Sequence, residues 1–360
     1  MLNAMIRYSL AYRWFILAGG VVLLGIAAWT IPRMPLDVFP ELNVPTITIL
    51  TEAPGYAAEE VENAVTFPIE TALNGIPGLR RLRSSSTIGL SIVWAEFDFG
   101  ADIYRNRQLV VERLAQVQDI LPENIHPPEM TPVTSISGEI MLVGLTTVDG
   151  GVSPLELRRM AEFDLRPRLL AVAGVAQVIA IGGELPEYQI EVSPEALRRF
   201  DLTLADVEHA TIEAHAPVGG GYLPDVGGRE LPLRPLTRAQ NLDEIAKTVV
   251  GEWRGAPLLL AQVAELRLGG APRRGTGSAD GQPAVILTIQ KNPGTNTLAL
   301  TRHIDEVLDA FARTLPKGVE LRPHIFRQAD FITVSIQNVL HALRDGVIFV
   351  INSSCLLRDS

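Results

Sequence analysis

Residues 44–79 read VPTITILTEAPGYAAEEVENAVTFPIETALNGIPGL, a run that changes its periodicity twice. From Val44 to Thr51 apolar and polar residues alternate, with Ile47 and Ile49 on one face, which is the pattern of a strand. Pro54-Gly55 then makes a turn. Glu59 and Glu60 follow in the first turn of a helix, where the dipole favours negative charge. That helix reaches about Leu73, with Val61, Val65, Ile69 and Ala72 as its apolar stripe. Pro68 is expected to kink it. Gly75-Ile76-Pro77-Gly78 ends it.

Two strands are expected next, near Leu79–Ser85 and Ile88–Phe97. A helix over Asp102–Leu121 follows, with Ile103, Val110, Leu114, Val117 and Leu121 on its apolar side. The same order then recurs. Glu139–Thr147 reads as a strand, and Ser153-Pro154-Leu155-Glu156 as a capping box with proline at the first helical position. The helix runs to about Ala171, and Gly174 precedes a strand at Val175–Ile181. Further on, Ala284–Gln290 is a strand, Asn296–Leu315 a helix and Glu320–Phe326 a strand. The class is α+β: two split strand-helix-strand units, the second interrupted at roughly 184–278.

Upstream, Trp14–Ile31 is a run of 18 uncharged residues, WFILAGGVVLLGIAAWTI. As a helix it spans about 27 Å, close to the hydrocarbon thickness of a bilayer. Its Leu, Ile, Val and Phe residues favour insertion by roughly 3 to 5 kcal/mol together. Trp14 and Trp29 sit near the two ends as membrane-interface anchors. Arg7 and Arg13 precede the run, so the N-terminus is expected in the cytoplasm and the bulk of the chain outside it. The competing reading is a cleaved signal peptide, with Gly25-Ile26-Ala27 as a small-x-small site.

The formal net charge is −10; residues 1–33 hold three arginines and no acid, which leaves −13 on the remainder. An acidic body argues against nucleic acid as the partner. The single cysteine, Cys355, excludes an intramolecular disulfide and a cysteine metal cluster. No nucleophile elbow, phosphate loop or zinc-protease helix occurs, so neither an enzyme nor a cofactor is expected.

Several runs, in this order and spacing, resemble the resistance-nodulation-division (RND) efflux transporters. They are Pro35-Leu36-Asp37-Val38-Phe39-Pro40-Glu41-Leu42, Ala53-Pro54-Gly55 with Glu60-Val61-Glu62, Val65-Thr66-Phe67-Pro68-Ile69-Glu70, Gly75-Ile76-Pro77-Gly78-Leu79 and Leu340-His341-Ala342-Leu343-Arg344-Asp345-Gly346. The proline-acidic run and the Phe-Pro-Ile-Glu helix look more like the heavy-metal efflux subclass than the multidrug subclass.

That resemblance implies a proton-driven inner-membrane permease working as a homotrimer with a periplasmic adaptor and an outer-membrane channel. It assigns residues 1–33 to the cytoplasmic N-terminus and first membrane helix, and 34–134 to the first porter subdomain. The second porter subdomain would take 135–183 and 279–328, the docking subdomain 184–278, and an amphipathic helix with the start of a second span 329–360. In Gly219-Gly220-Gly221-Tyr222-Leu223-Pro224-Asp225-Val226-Gly227-Gly228-Arg229-Glu230, the resemblance implies a hairpin that docks into the neighbouring protomer. Read from the residues alone, it is equally a surface loop with turn glycines.

A complete transporter of this kind has many membrane helices and a homologous second half. Here the apolar run from Gly346 to Ile351 turns into Asn352-Ser353-Ser354-Cys355, which reads as a truncation, and the only full-length span holds no carboxylate for proton coupling. The resemblance places the methionine metal ligands in the second half. The chain alone is not expected to transport. Its alternatives are a multidrug-type permease fragment or a membrane-anchored adaptor.

Among this chain's own residues the metal candidates are Met130 and Met141, because thioethers suit soft cations, with core filling as the plainer reading. His209 and His215, six apart on a helix, face different sides and cannot chelate as an i, i+4 pair. His126 is expected to be a solvated surface residue.

Overall fold

The structure is a computed structural model. It describes residues 8, 11–30, 44–122, 124–133, 138–148, 150–216, 222–223, 231–232, 239, 241–273 and 275–358, with backbone alone at 24, 28, 215, 222–223, 231–232 and 351–358.

Helix α1 (Arg13–Thr30) opens the described chain. The first unit follows: β1 (Thr46–Glu52), helix α2 (58–73), β2 (Leu79–Thr87), β3 (Leu90–Phe97), α3 (Ile103–Val117) and β4 (Glu129–Met130). Its antiparallel sheet has the order β2-β3-β1-β4. Alternation decides which face packs: Ile47, Ile49, Val93 and Ala95 point inward and are fully covered by α2 and α3. Asp102 starts α3 by accepting the Tyr104 amide at 2.9 Å.

The second unit comprises β5 (Glu139–Thr147), helix α4 (154–170), β6 (Val175–Ile181) and, after a long insertion, β13 (Gly277–Ala279), β14 (Gln282–Lys291), α8 (Thr297–Ala312) and β15 (Val319–Arg327). β14 pairs β5 and β6, and β5 pairs β15, so the main order is β6-β14-β5-β15. With β6 in the place of β2, this is the strand order of the first unit; the second has the strand-helix-strand-strand-helix-strand sequence expected, while in the first β4 adds a closing strand that was not expected. A second, separate core holds Met141, Leu145, Leu165, Leu287 and Ile304.

Pro68 does not break α2. The helix runs as Ala58–Val61, a π-helical turn at Glu62–Thr66, then Phe67–Leu73, with the Phe67 amide donating to the Glu62 carbonyl five residues back. Helix α4 repeats this: Pro154–Arg159, a π turn at Met160–Leu165, then Arg166–Leu170, ahead of Pro167. The cause lies in the spacing. Val61, Val65, Ile69 and Leu73 in one helix and Leu157, Ala161, Leu165 and Leu169 in the other form a buried stripe spaced four apart, with Thr66 and Met160 buried beside it in the π turns. On a regular α-helix each four-residue step overshoots a turn by about 40°. One wider turn brings the stripe back to the sheet, at the point where proline has no amide to give.

Ser153 caps α4 by accepting the Glu156 amide at 3.2 Å. The Glu156 carboxylate turns to Arg159 at 2.9–3.0 Å instead of closing the expected capping box.

The insertion has its own core around Val207, Ile245, Val250, Leu258, Leu260 and Val263. It contains β7 (Pro186–Val192), α5 (Pro194–Phe200), α6 (Leu204–His215), β8 (Tyr222–Leu223), β9 (Leu231–Pro232), α7 (Leu242–Ile245), β10 (Val249–Trp253), β11 (Ala256–Leu259) and β12 (Ala264–Gly270). β7 and β12 form an antiparallel ribbon in unbroken register from Pro186↔Gly270 to Val192↔Ala264.

The last element, α9 (Gln328–Arg358), is one helix of 31 residues. It continues as a helix through Asn352–Cys355, the residues at which the apolar run ends. Among the described residues no helix is long and apolar enough to cross a membrane. The span read from the sequence ran from Trp14 to Ile31. It includes Ile31, and the side chains of Leu24 and Ala28, which fall outside the description.

Candidate functional site

The insertion leaves and re-enters the second unit at a single place. β13 pairs β14 from Gly277↔Ala284 to Ala279↔Gln282, and β6 pairs it from Ile286↔Ile181 onward, so both lie along one edge of β14. The chain departs at Gly182 and returns at Gly277, across the gap between them. Gly182 and Gly183 have φ of +92° and +66°. A Cβ on Gly182 would lie 2.4 Å from the Ala284 carbonyl oxygen and 2.8 Å from the Gly277 nitrogen, so only glycine lets the two strands pass.

Polar contacts tie this crossing to α4. Arg158 donates from Nη1 to the Gly182 carbonyl at 2.8 Å and from Nη2 to Glu162 at 3.2 Å. Glu162 also accepts from Arg166 at 2.7 Å, and Arg166 Nε donates to the Val178 carbonyl of β6 at 2.9 Å. The Glu184 amide donates to the Pro154 carbonyl at 3.3 Å. Within the ribbon's base, Arg273 Nε donates to Glu184 Oε1 at 3.0 Å. Cavities of about 350 and 300 Å³ flank the crossing and share Gly183, Arg273 and Gly275 in their walls.

Further out on the insertion, the glycine-rich stretch contains a hairpin ladder. Tyr222 pairs Pro232 and Leu223 pairs Leu231, antiparallel. Gly220, Gly221, Pro224, Asp225, Gly227 and Gly228 lie outside the described residues.

On the solvent face of the first sheet, Glu96 accepts from Arg81 Nε at 2.8 Å and from Arg83 Nη2 at 2.6 Å. Its carboxyl is held below the usual range, chiefly by the Arg81 hydrogen bond. At the start of α9, Arg327 donates to Asp330 at 2.6 Å and also binds Asp305 of α8. Burial lowers the Arg327 pKa, but the two carboxylates outweigh it and hold the group above its ordinary value.

The two methionines singled out from the sequence do not meet. Met141 is fully buried in the second core, whereas Met130 packs against the first, opposite Ile49. His126 lies 3.5 Å from Glu52 and is well exposed. His209 pairs with Glu213 at 3.6 Å on the surface of α6. Among the described residues no group of three or more His, Cys, Asp or Glu side chains could hold a metal ion. Trp14 and Trp29 are both exposed on α1, and Arg13 stacks over the Trp14 ring at 6.0 Å.

Residues 5–353 match the AcrB/AcrD/AcrF family. The chain belongs to that family. Its members are RND efflux transporters, not enzymes.

Similar AcrB/AcrD/AcrF relatives include Protein HelA of Legionella pneumophila, 33% identical over 97% of this chain and 34% of the relative. The cation efflux system protein CzcA of Alcaligenes sp. (strain CT14) is 32% identical over 98% of this chain and 33% of the relative. The cation efflux system protein CusA of Escherichia coli (strain K12) is 30% identical over 97% and 33%. An X-ray structure of a heavy metal efflux pump is similar with a TM-score of 0.81 and 27% identity, over 93% of this chain and 33% of that one. The chain spans about a third of the length of the relatives it matches.

Proposed function

We propose that this chain is the N-terminal third of a proton-driven inner-membrane permease that exports heavy-metal cations. The likeness to a heavy metal efflux pump, which covers 93% of this chain, carries the reading. The cation-efflux relatives support the cargo class. In this proposal residues 34–134 are the first porter subdomain, 135–183 with 279–328 the second, and 184–278 the docking subdomain. Three separate cores in those stretches support the division.

Trp14–Ile31 is proposed as the membrane anchor, with the N-terminus cytoplasmic and the bulk of the chain periplasmic. Support comes from α1 itself, where Trp14, Phe15, Leu17, Val21, Val22, Leu23, Ile26 and Trp29 are all exposed. A helix apolar all round has no water-facing side and calls for another environment. The β8–β9 hairpin is proposed to dock into the next protomer of a homotrimer, and the assembly to work with a periplasmic adaptor and an outer-membrane channel.

The test is metal resistance in a bacterium lacking its own cation pumps, with the adaptor and channel supplied. The chain joined to the remaining two-thirds of a relative such as CzcA is expected to restore growth in zinc, cobalt or cadmium, and the chain alone to give none. A full-length chimera that sits in the membrane yet protects against no cation would overturn the heavy-metal reading. Protection against organic toxicants instead would point to the multidrug class.

A further inference from the structure

Three observations at the base of the insertion combine. Among the described residues the connection is one ribbon, β7–β12, joined to the second unit through residues 182–185, 271–273 and 275–276, where Ala271 donates its amide to the Leu185 carbonyl at 2.8 Å. The cores on either side, around Leu145 and around Leu260, are separate, and the bodies touch where the start of α4 meets β7. Finally, the two cavities flank the crossing itself, leaving space on both sides of the strands where a fixed joint would be filled with side chains.

We propose that Gly182-Gly183 and Gly277 form a pivot about which the inserted subdomain turns as a body relative to the second unit, with Arg158 as the catch that holds one orientation. Gly182 and Gly183 occupy the left-handed region, where a glycine changes its backbone angles without moving a side chain. Ion pairing between Glu184 and Arg273 joins the two connecting segments to each other on the insertion side of the glycines and touches no residue of the second unit. The Arg158 bond holds the Gly182 carbonyl within the pivot, and the Glu184 amide, on the insertion side, adds a weaker bond to the Pro154 carbonyl of α4 at 3.3 Å. Because Arg158 is anchored through Glu162 and Arg166 to β6, the catch belongs to the second unit and stays behind when the insertion turns. Hinges of this kind absorb rotation in a few element-terminal residues.

The experiment is pulsed electron paramagnetic resonance on the 360-residue chain in detergent micelles, in a Cys355→Ser background. One spin-label pair replaces Glu208 on α6 and Asp309 on α8, both exposed, and reports across the pivot. A control pair at Glu208 and Glu252 lies within the insertion.

The cross-pivot distance distribution is expected to be clearly broader than the control. Arg158→Ala is expected to shift the balance of its components about fivefold, the effect of losing one net hydrogen bond. A cross-pivot distribution as narrow as the control in the wild-type chain overturns the proposal. That comparison needs no Arg158 variant. It therefore decides the matter even if Arg158→Ala misfolds, which a circular dichroism melt of the variant beside the wild-type chain would reveal. If the wild-type distribution is broad but unchanged in a folded Arg158→Ala variant, the assignment of Arg158 as the catch is overturned.

Discussion

Arg81 and Glu96, directly opposite one another on β2 and β3, share two hydrogen bonds, from Nε at 2.8 Å and from Nη2 at 3.1 Å. The arginine is largely exposed and the carboxylate almost wholly covered. The pair therefore faces water at one end, and its attraction is partly screened. Its signature is in the pH dependence.

The folded-state pKa of Glu96 is depressed, so its contribution to stability is present above the unfolded carboxylate value of about 4.3. It is lost as pH falls through the lower folded value. Chemical denaturation from pH 7 to pH 2.5 is expected to show the wild-type chain ahead of Glu96→Gln at neutral pH, with the gap closing below about pH 4. A gap that stays constant across that range would mean that the hydrogen bonds owe nothing to the charge.

Met141 offers a test between its two readings. Completely covered in the second core, it is expected to behave as packing. Met141→Leu should change the unfolding free energy by less than about 1.5 kcal/mol, and Met141→Ala should cost about 2 to 5 kcal/mol. A titration of the folded chain with silver or copper(I) is expected to be the same for the wild type and Met141→Leu. Loss of a binding event in the leucine variant would restore the thioether to the list of ligands.

Much of the architecture was readable because periodicity and burial coincide. Val175–Ile181 was located to the residue, since an apolar run bounded by Gly174 and Gly182 has few alternatives. β4 was missed. It has two residues in a proline-rich stretch, too short to show any alternation. The π turns were legible only in part: Pro68 signalled an irregularity, but the four-residue spacing that explains it was read as an ordinary helical stripe. The junction around Gly182 was out of reach. It depends on backbone atoms of residues far apart in sequence, and neither the Arg158–Gly182 bond nor the passage of Gly277 has a local signal.

The π turn in α2 predicts a cost for a near-isosteric change. Thr66 Oγ1 lies 2.8 Å from Ser86 Oγ, 2.7 Å from Ser91 Oγ and 3.3 Å from the Val61 carbonyl. Thr66 and Ser91 are both buried and Ser86 is half-buried, so removing the central hydroxyl strands Ser91 away from water. Thr66→Val is expected to lower the unfolding free energy by about 1 to 3 kcal/mol. The triple variant Thr66→Val, Ser86→Ala, Ser91→Ala should lose less than the three single changes summed, because no polar group is then left alone. Additive losses in denaturant titrations would show that the three hydroxyls do not act as a network.

The anchor proposal separates three outcomes that fractionation and intact mass resolve together. As an uncleaved anchor, residues 14–31 keep the full-length chain in membranes through an alkaline carbonate wash. Val22→Arg at mid-span adds about 2.5 to 3.5 kcal/mol to insertion and should move part of the chain out of that fraction. A cleaved signal peptide would instead give a mature chain whose mass begins after Ala27, whatever stands at position 22. Helix α9 also exposes Phe331, Leu340, Leu343 and Phe349 and could hold the chain on a membrane by itself, so the variant is best read alongside one ending before Gln328. If that shortened chain remains in the membrane with its N-terminus intact and Val22→Arg releases it, α1 is the anchor. If it is soluble with its N-terminus intact, attachment resides in α9 and the proposed topology falls.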